Sequence, residues 1–417
     1  MALAKPIGFS DLLTVLENET PERIQNATKL PLHQALGRVL AEDIYATADA
    51  PVYTNSAMDG YAWRSSDFRD IDGATPVRLP VAATITAGHP WQESLPDRVA
   101  VRIMTGAVLP PGFDTVLPIE QTQVEDDCLI LEPLRYHRGQ NVRFAGEIYA
   151  QGDILLKAST VLGADQLGLI AANGLGVVSC RELRVGVFAS GDELAEPVTE
   201  GKPQPNVVYN ANGTAVTLFV QTLGASATYV GILPDDPHAI KAALDQAMET
   251  FDVVVCSGGV GPGDHDFTAQ VLNTYAPVHH FHVAMKPGKP FSYAKINAPH
   301  PVFFVGLPGN PVATATAAQV FLRTIVCRLL GTPCRLPLQT GLFAGATLKS
   351  KFGRTDFIRA QLHLGSQGER LLTPLDSQSS ASLYGAAHSN AILYVPDNIT
   401  HLTQGDIVQY LQVGELT

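Results

Sequence analysis

Lys286-Pro287-Gly288-Lys289-Pro290 places two ammonium groups three residues apart on a stretch stiffened by prolines, a pattern suited to a phosphate or pyrophosphate. A charged surface hairpin would read the same way. Asp192, Glu193, Asp235, Asp264 and Asp266 bring carboxylates to neighbouring loops, and hard oxygens beside a phosphate commonly hold Mg²⁺. Asp236 and Asp266 also suit helix caps. Four turn-rich segments recur after β-prone runs: Ser190-Gly191-Asp192-Glu193, Pro234-Asp235-Asp236, Ser257-Gly258-Gly259 through Asp264, and Leu307-Pro308-Gly309-Asn310-Pro311. The glycine loop fits neither the Walker nor the Gly-x-Gly-x-x-Gly spacing, which argues against a Walker ATPase and an ordinary dinucleotide fold. His280 and His282 share one face of a strand, but no partner of metal-ligand spacing accompanies them.

These groups need a scaffold that gathers loops. From Leu183 to Gly331, β-rich runs alternate with helical periods, the pattern of a parallel sheet covered by helices. Strands are expected at Leu183–Ala189, Thr228–Leu233, Asp252–Cys256, Val278–Met285 and Pro301–Val305. Helices are expected at Asn212–Leu223, from Asp236 to Thr250, at Asp266–Tyr275 and from Asn310 to Leu330. In such a sheet ligands sit beyond the carboxyl ends of the strands, where helix N-termini offer free N–H groups. All four loops, and the lysine segment after Val278–Met285, fall at that edge.

The flanks read differently. Residues 332–417 carry short β runs such as Gln361–Leu364 and Ala391–Val395 around a Gly365–Gly368 turn, giving a small β domain or barrel. Helical stretches at Ser10–Glu19 and Leu32–Ala41 precede a Pro- and Gly-punctuated β-rich region, and helical pattern returns at Gln151–Asn173. The expected organisation is therefore an α/β multidomain protein. Residues 1–45 with 147–182 form a helical linker or dimerisation domain, 46–146 an inserted β-rich domain, 183–331 the doubly wound domain and 332–417 a C-terminal β-barrel-like domain.

The 417 residues are 46% hydrophobic and 16% charged, with 28 basic and 40 acidic side chains for a net charge of −12. That balance weighs against nucleic acid or an anionic membrane as partner, while leaving room for a small anion held locally. Cys128, Cys180, Cys256, Cys327 and Cys334 are odd in number and widely spaced, so neither a disulfide framework nor a zinc site is indicated. With no apolar run of 18 residues, the chain reads as soluble and cytoplasmic.

Two further segments, Asn55–Ala62 and Arg102–Ala107, have no helix or strand period and supply an Asp, a Thr and an Arg. Together with the loops above, Arg143–Gly146, Asn210–Asn212, Gly353–Arg359 and Ser380–Asn390, in this order, the chain resembles the molybdopterin molybdenumtransferase family, the MoeA and gephyrin E-domain enzymes. The resemblance spans almost the whole sequence. It implies four domains including a MogA-like doubly wound one, and a homodimer with a shared active cleft. The implied reaction inserts molybdate into adenylylated molybdopterin, with Mg²⁺-dependent release of AMP to form molybdenum cofactor. A molybdopterin adenylyltransferase and molybdoenzyme maturation proteins are implied as partners.

By the same resemblance Asp59, Thr105, Glu193, Asp235 and Asp266 fall at catalytic positions, with Asp235, Asp264 and Asp266 as Mg²⁺ ligands. Ser190, Gly191, Asp192, Asn212, Ser257, Gly258, Gly259, Asp264, Lys286, Lys289, Pro308, Gly309, Asn310, Arg354 and Ser380 would bind substrate. Three departures from the family pattern stand out: Ile148 replaces a carboxylate, His282 a lysine and Gly261 a serine. They motivate one alternative to the transferase, a catalytically weak paralogue that binds or scaffolds molybdopterin; a second, a molybdopterin adenylyltransferase, follows from that enzyme's resemblance to the Leu183–Gly331 domain.

Overall fold

The computed structural model describes residues 6–22, 24–68, 76–132, 136–259, 267–297, 300–379 and 381–414. The chain forms two compact units, Asp43–Lys157 with Gly168–Gly176, and Met1–Glu42 with Ala158–Leu167 and Val177–Thr417.

In the first, a six-stranded sheet has β1 (Gly60–Trp63) between Thr115–Pro118 and β2 (Ala100–Ile103), followed by Val77–Ile85, Cys128–Leu131 and Gln123–Glu125. All four residues of β1 are buried, as a central strand requires. Their side chains alternate between two apolar clusters, Ala62 joining Ile103 and Val116, and Tyr61 and Trp63 joining Leu117 and Leu129.

The second unit opens with α1 (Phe9–Glu19), which buries Phe9, Leu12 and Leu16 at helical spacing. The expected helix at Leu32–Ala41 does not form. A single 3₁₀ turn, Leu32–Gln34, is followed by Gly37 at φ +76° and by isolated bridges at Val39 and Leu40, because the left-handed glycine ends any helical path. Gln151–Asn173 likewise starts with a strand, Ile154–Leu156, and becomes helical only at Ala164–Ala172. Residues 6–45 and 147–182 are therefore mixed in structure rather than helical.

The central sheet runs β4 (Ser226–Leu233), β3 (Arg184–Ser190), β5 (Val253–Ser257), β8 (Val302–Leu307), β7 (Pro290–Ile296), β6 (His279–His282). Two of its inner strands, β5 and β8, are buried at every position because both faces of the sheet are covered. Val185, Val187, Val253, Val255, Phe303 and Val305 face one core with α2 (Asn212–Thr222) and α5 (Pro311–Ala317), whereas Phe188, Val254, Cys256 and Phe304 face the other with α3 (Pro237–Thr250) and α4 (Phe267–Leu272). Asp236 caps α3 by accepting from the N–H groups of His238 and Ala239, with Pro237 in the first turn. α5 continues through one π turn, Ala318–Leu322, and a final helical stretch, Arg323–Leu330, ended by left-handed Gly331. The span Pro311–Leu330 is apolar and long enough to cross a membrane, but 78% of its most apolar stretch is packed inside the protein.

The sheet is not wholly parallel. β7, which carries no label in the sequence pattern, pairs antiparallel with both β8 and β6. The expected strand Val278–Met285 stops at His282. Ile7 donates its N–H to the His282 carbonyl and accepts from the Ala284 N–H there, and Met285–Lys286 pairs instead with Thr355 and Asp356 of β9 (Thr355–Leu364). β9 belongs to the C-terminal domain, where Thr355–Leu364, Arg370–Pro374, Leu338–Phe343, Ile407–Gln412 and Ala391–Val395 pair in a ring that closes on β9. A small closed barrel results, filled by Phe343, Leu362, Leu372, Leu393 and Tyr410.

Candidate active site

Ser190 is in register with Leu233, Ala189 with Ser257, and Ser257 with Leu307, so the loops after β3, β4, β5 and β8 emerge at one sheet edge. Hydrogen bonds fix them to one another. The Asn212 side-chain amide donates to Ser257 Oγ at 2.7 Å and to the Gly309 carbonyl at 2.8 Å, and Ser257 Oγ donates to the Pro308 carbonyl at 3.1 Å. Thr314 Oγ1 donates to the Pro308 carbonyl and, at 2.9 Å, to that of Asn310. Asn212 and buried Ser257 thus spend their donors on holding loops together. Gly258 is left-handed at φ +90°, and a Cβ there would lie 2.6 Å from the Ser190 carbonyl oxygen. Only glycine lets the two loops meet so closely.

The acidic groups lie at the outer side of this edge. Exposed Asp192 accepts the Asp235 N–H at 3.1 Å, which ties the loop after β3 to that after β4, and Glu193 is exposed beside it. Among the described residues no cluster of three His, Cys, Asp or Glu could hold a metal ion. Asp264, Asp266 and Gly261 lie outside the described residues, as does Ser380. His280 Nδ1 is 2.9 Å from Ser292 Oγ, and burial followed by the nearby Lys289 charge holds His282 below the usual imidazole range, so it is neutral at neutral pH.

Because β7 runs opposite to β8, the segment before it returns to the carboxyl edge, and the Lys286–Lys289 loop opens onto a cavity of about 540 Å³ beside the barrel. Lys286, Lys289, Lys349, Arg354 and Arg359 line it, with Asp356 as the carboxylate. The two arginines differ in their commitments. Arg354 grips Asp356 through Nε at 2.7 Å and an NH₂ group at 2.9 Å.

Arg359 was not singled out by the sequence pattern. It is 4% exposed, and one terminal nitrogen donates to the carbonyls of Ser377 and Ser379 at 2.9 and 3.0 Å. Its buried Nε has no partner and no carboxylate pairs with it among the described residues. Burial lowers its pKa, the mark of a cation short of a counter-charge. An arginine inside the run Thr355–Leu364, whose neighbours are mostly apolar, was the available signal. The Asn310 side-chain oxygen, on the same cavity wall, is also buried and unpartnered.

In the other unit, Asp59 Oδ1 accepts both the N–H and the hydroxyl of Thr105 at 2.7 Å. Those two bonds, backbone first, hold the Asp59 carboxyl below the usual aspartate range. Ser56 Oγ donates to the Met58 carbonyl at 2.6 Å, and Gly106 N–H donates to the Ser56 carbonyl, so the segments around Asp59 and Thr105 form one turn cluster. Ile148 is 71% exposed.

Residues 8–174 match the family described as MoeA N-terminal region (domain I and II), residues 186–327 the probable molybdopterin binding domain, and residues 343–413 the MoeA C-terminal region (domain IV). The chain is 35% identical to a molybdopterin molybdenumtransferase of Haemophilus influenzae, over 91% of this chain and 92% of that one. It is 34% identical to one of a Nostoc species, over 97% and 93%. A crystal structure of the molybdopterin biosynthesis MoeA protein of Pyrococcus horikoshii superposes with a TM-score of 0.80 at 25% identity, covering 97% of this chain and 99% of that one.

Proposed function

Because the chain belongs to the molybdopterin molybdenumtransferase (MoeA) family, we propose that its lysine-lined cavity and acidic loop edge act together on adenylylated molybdopterin and molybdate, releasing AMP. The protein is a transferase of molybdenum cofactor biosynthesis that inserts molybdenum into molybdopterin. The single observation that carries the finer reading is the charge layout. A cavity with five cations and one carboxylate adjoins a strand-end edge that bears Asp192, Glu193 and Asp235.

Molybdate and phosphate esters are oxyanions, so Lys286, Lys289 and Arg359 would bind and orient them through charge-assisted hydrogen bonds. Arg359 supports this best, since a buried guanidinium without a counter-ion is compensated when an anion enters. Apolar cavity walls such as Phe357 and Ile392 exclude water from the bound anion. Carboxylate oxygens suit a hard divalent cation, and by the family pattern Asp235, Asp264 and Asp266 would hold Mg²⁺. When bound, Mg²⁺ supplies polarisation of the phosphoanhydride. Asp59 and Thr105 would reach the cleft of a second subunit in a homodimer.

Incubating the purified protein with adenylylated molybdopterin, molybdate and Mg²⁺ is expected to yield AMP and molybdenum cofactor together. AMP release no faster than in buffer would overturn the adenylylated-substrate reading. Exposed Ile148, where the family pattern has a carboxylate, favours a second reading in which the chain binds substrate and turns it over slowly. Tight binding without AMP release, with release restored by Ile148→Asp, would select it.

A further inference from the structure

We propose that Asp356 is a positioning residue that ties up and neutralises Arg354 at the wall of the oxyanion cavity and so limits how tightly the cavity grips its anion. The inference rests on reading that cavity as an oxyanion site. Asp356 is 2% exposed on β9, and both of its oxygens are taken. Oδ1 accepts Arg354 Nε at 2.7 Å, while Oδ2 accepts an Arg354 NH₂ group at 2.9 Å and Ser350 Oγ at 2.8 Å. Such a two-point grip fixes the guanidinium plane as well as its charge.

Arg354 stands where this matters. Its side chain is 30% exposed and borders both the 540 Å³ cavity and a second one of 420 Å³ on the other side of the lysine loop. Lys286, Lys289, Lys349 and Arg359 make no ion pair among the described residues, so Arg354 is the one cavity cation compensated from within the protein. The backbone of Asp356 is also in register with Lys286, so the same residue restrains Arg354 and seats the strand that presents the first lysine. A further free cation would deepen binding of substrate and product oxyanions alike, which lowers KM without speeding the chemical step and slows release.

The test is molybdate binding to the full-length protein by titration calorimetry at low and high salt, repeated with inorganic phosphate, for wild type, Asp356→Asn and Arg354→Lys. Asp356→Asn keeps an acceptor for Ser350 but loses the charge. It is expected to bind molybdate about three- to tenfold more tightly at low salt, with the gain shrinking at high salt, and to lower kcat and KM together. Arg354→Lys, whose single ammonium cannot grip both carboxylate oxygens, is expected to shift affinity the same way, and it decides the matter if Asp356→Asn does not fold. Weaker or unchanged binding in a folded Asp356→Asn, or weaker binding in Arg354→Lys, overturns the proposal. A wild-type protein that binds neither anion overturns the cavity reading beneath it instead.

Discussion

At the scale of single residues, the protein separates groups that bind from groups that hold. Asp59 is held ionised by two donors from Thr105, with the backbone N–H the larger contributor. A depressed carboxylate stabilises the fold above its unfolded pKa, and that contribution is lost only as pH falls through the lower, folded value. Thr105→Val removes the hydroxyl and spares the N–H, so the Asp59 midpoint should rise yet stay below the ordinary 3.8, as followed by carboxyl NMR. A midpoint unchanged by the substitution would show that the hydroxyl bond is not made in solution. Arg359 and Arg354 show what sequence reading could and could not reach. Both lie in one short run of charged and apolar residues, and the family resemblance pointed to Arg354. Which guanidinium is left without a counter-charge depends on Asp356, two residues from one and three from the other, and on which way each side chain leaves the strand. Arg359→Gln is expected to weaken molybdate binding by about tenfold or more, since it removes a charge-assisted contact from a dry cavity. Unchanged binding by calorimetry would exclude Arg359 from the anion site.

Among the elements, those with a clean period were legible. Ala391–Val395 and the helix from Pro237 to Thr250 stand where the pattern put them, because an unbroken apolar run and an Asp-Pro cap are local signals. The Leu32–Ala41 helix failed because its apolar spacing is interrupted by Gly37. β7 went unseen since Pro290–Ile296 opens with proline and reads as loop, yet the antiparallel turn it makes carries the two lysines to the functional edge. The hand-over of Met285–Lys286 from one sheet to another depends on long-range pairing with β9, which no window of sequence contains. Loop contact supplies a prediction at this scale. In Gly258→Ala the new Cβ would sit 2.6 Å from the Ser190 carbonyl oxygen at a left-handed φ, a strain of about 1–3 kcal/mol. Gly309→Ala meets nothing nearer than 3.7 Å and has no such φ. Thermal unfolding should therefore drop by several degrees for Gly258→Ala and hardly move for Gly309→Ala, and equal stability of the two would refute the close approach of the loops.

For the whole molecule, net charge and site charge point in opposite directions. The chain carries −12, yet five basic side chains line one cavity with a single carboxylate. Composition rightly says nothing about a local anion site, because a Debye length of about 10 Å screens distant surface charge from it. Asp59 and Lys286 belong to different compact units of the chain, and sharing of each cleft between subunits of a homodimer is the arrangement we propose for them. Symmetry makes that arrangement testable. If each site takes Asp59 from one subunit and Lys286 from the other, a mixed dimer of Asp59→Asn and Lys286→Ala subunits has one site with both groups intact and one with neither. Half the dimers formed by random exchange are mixed, so AMP release should recover to about one quarter of wild type from two nearly inactive parents. A site built within a single subunit leaves every cleft in the mixture short of one group, and activity then stays at the level of the parents. Thermal unfolding of each parent close to that of wild type would show that the recovery reports shared chemistry rather than repaired folding.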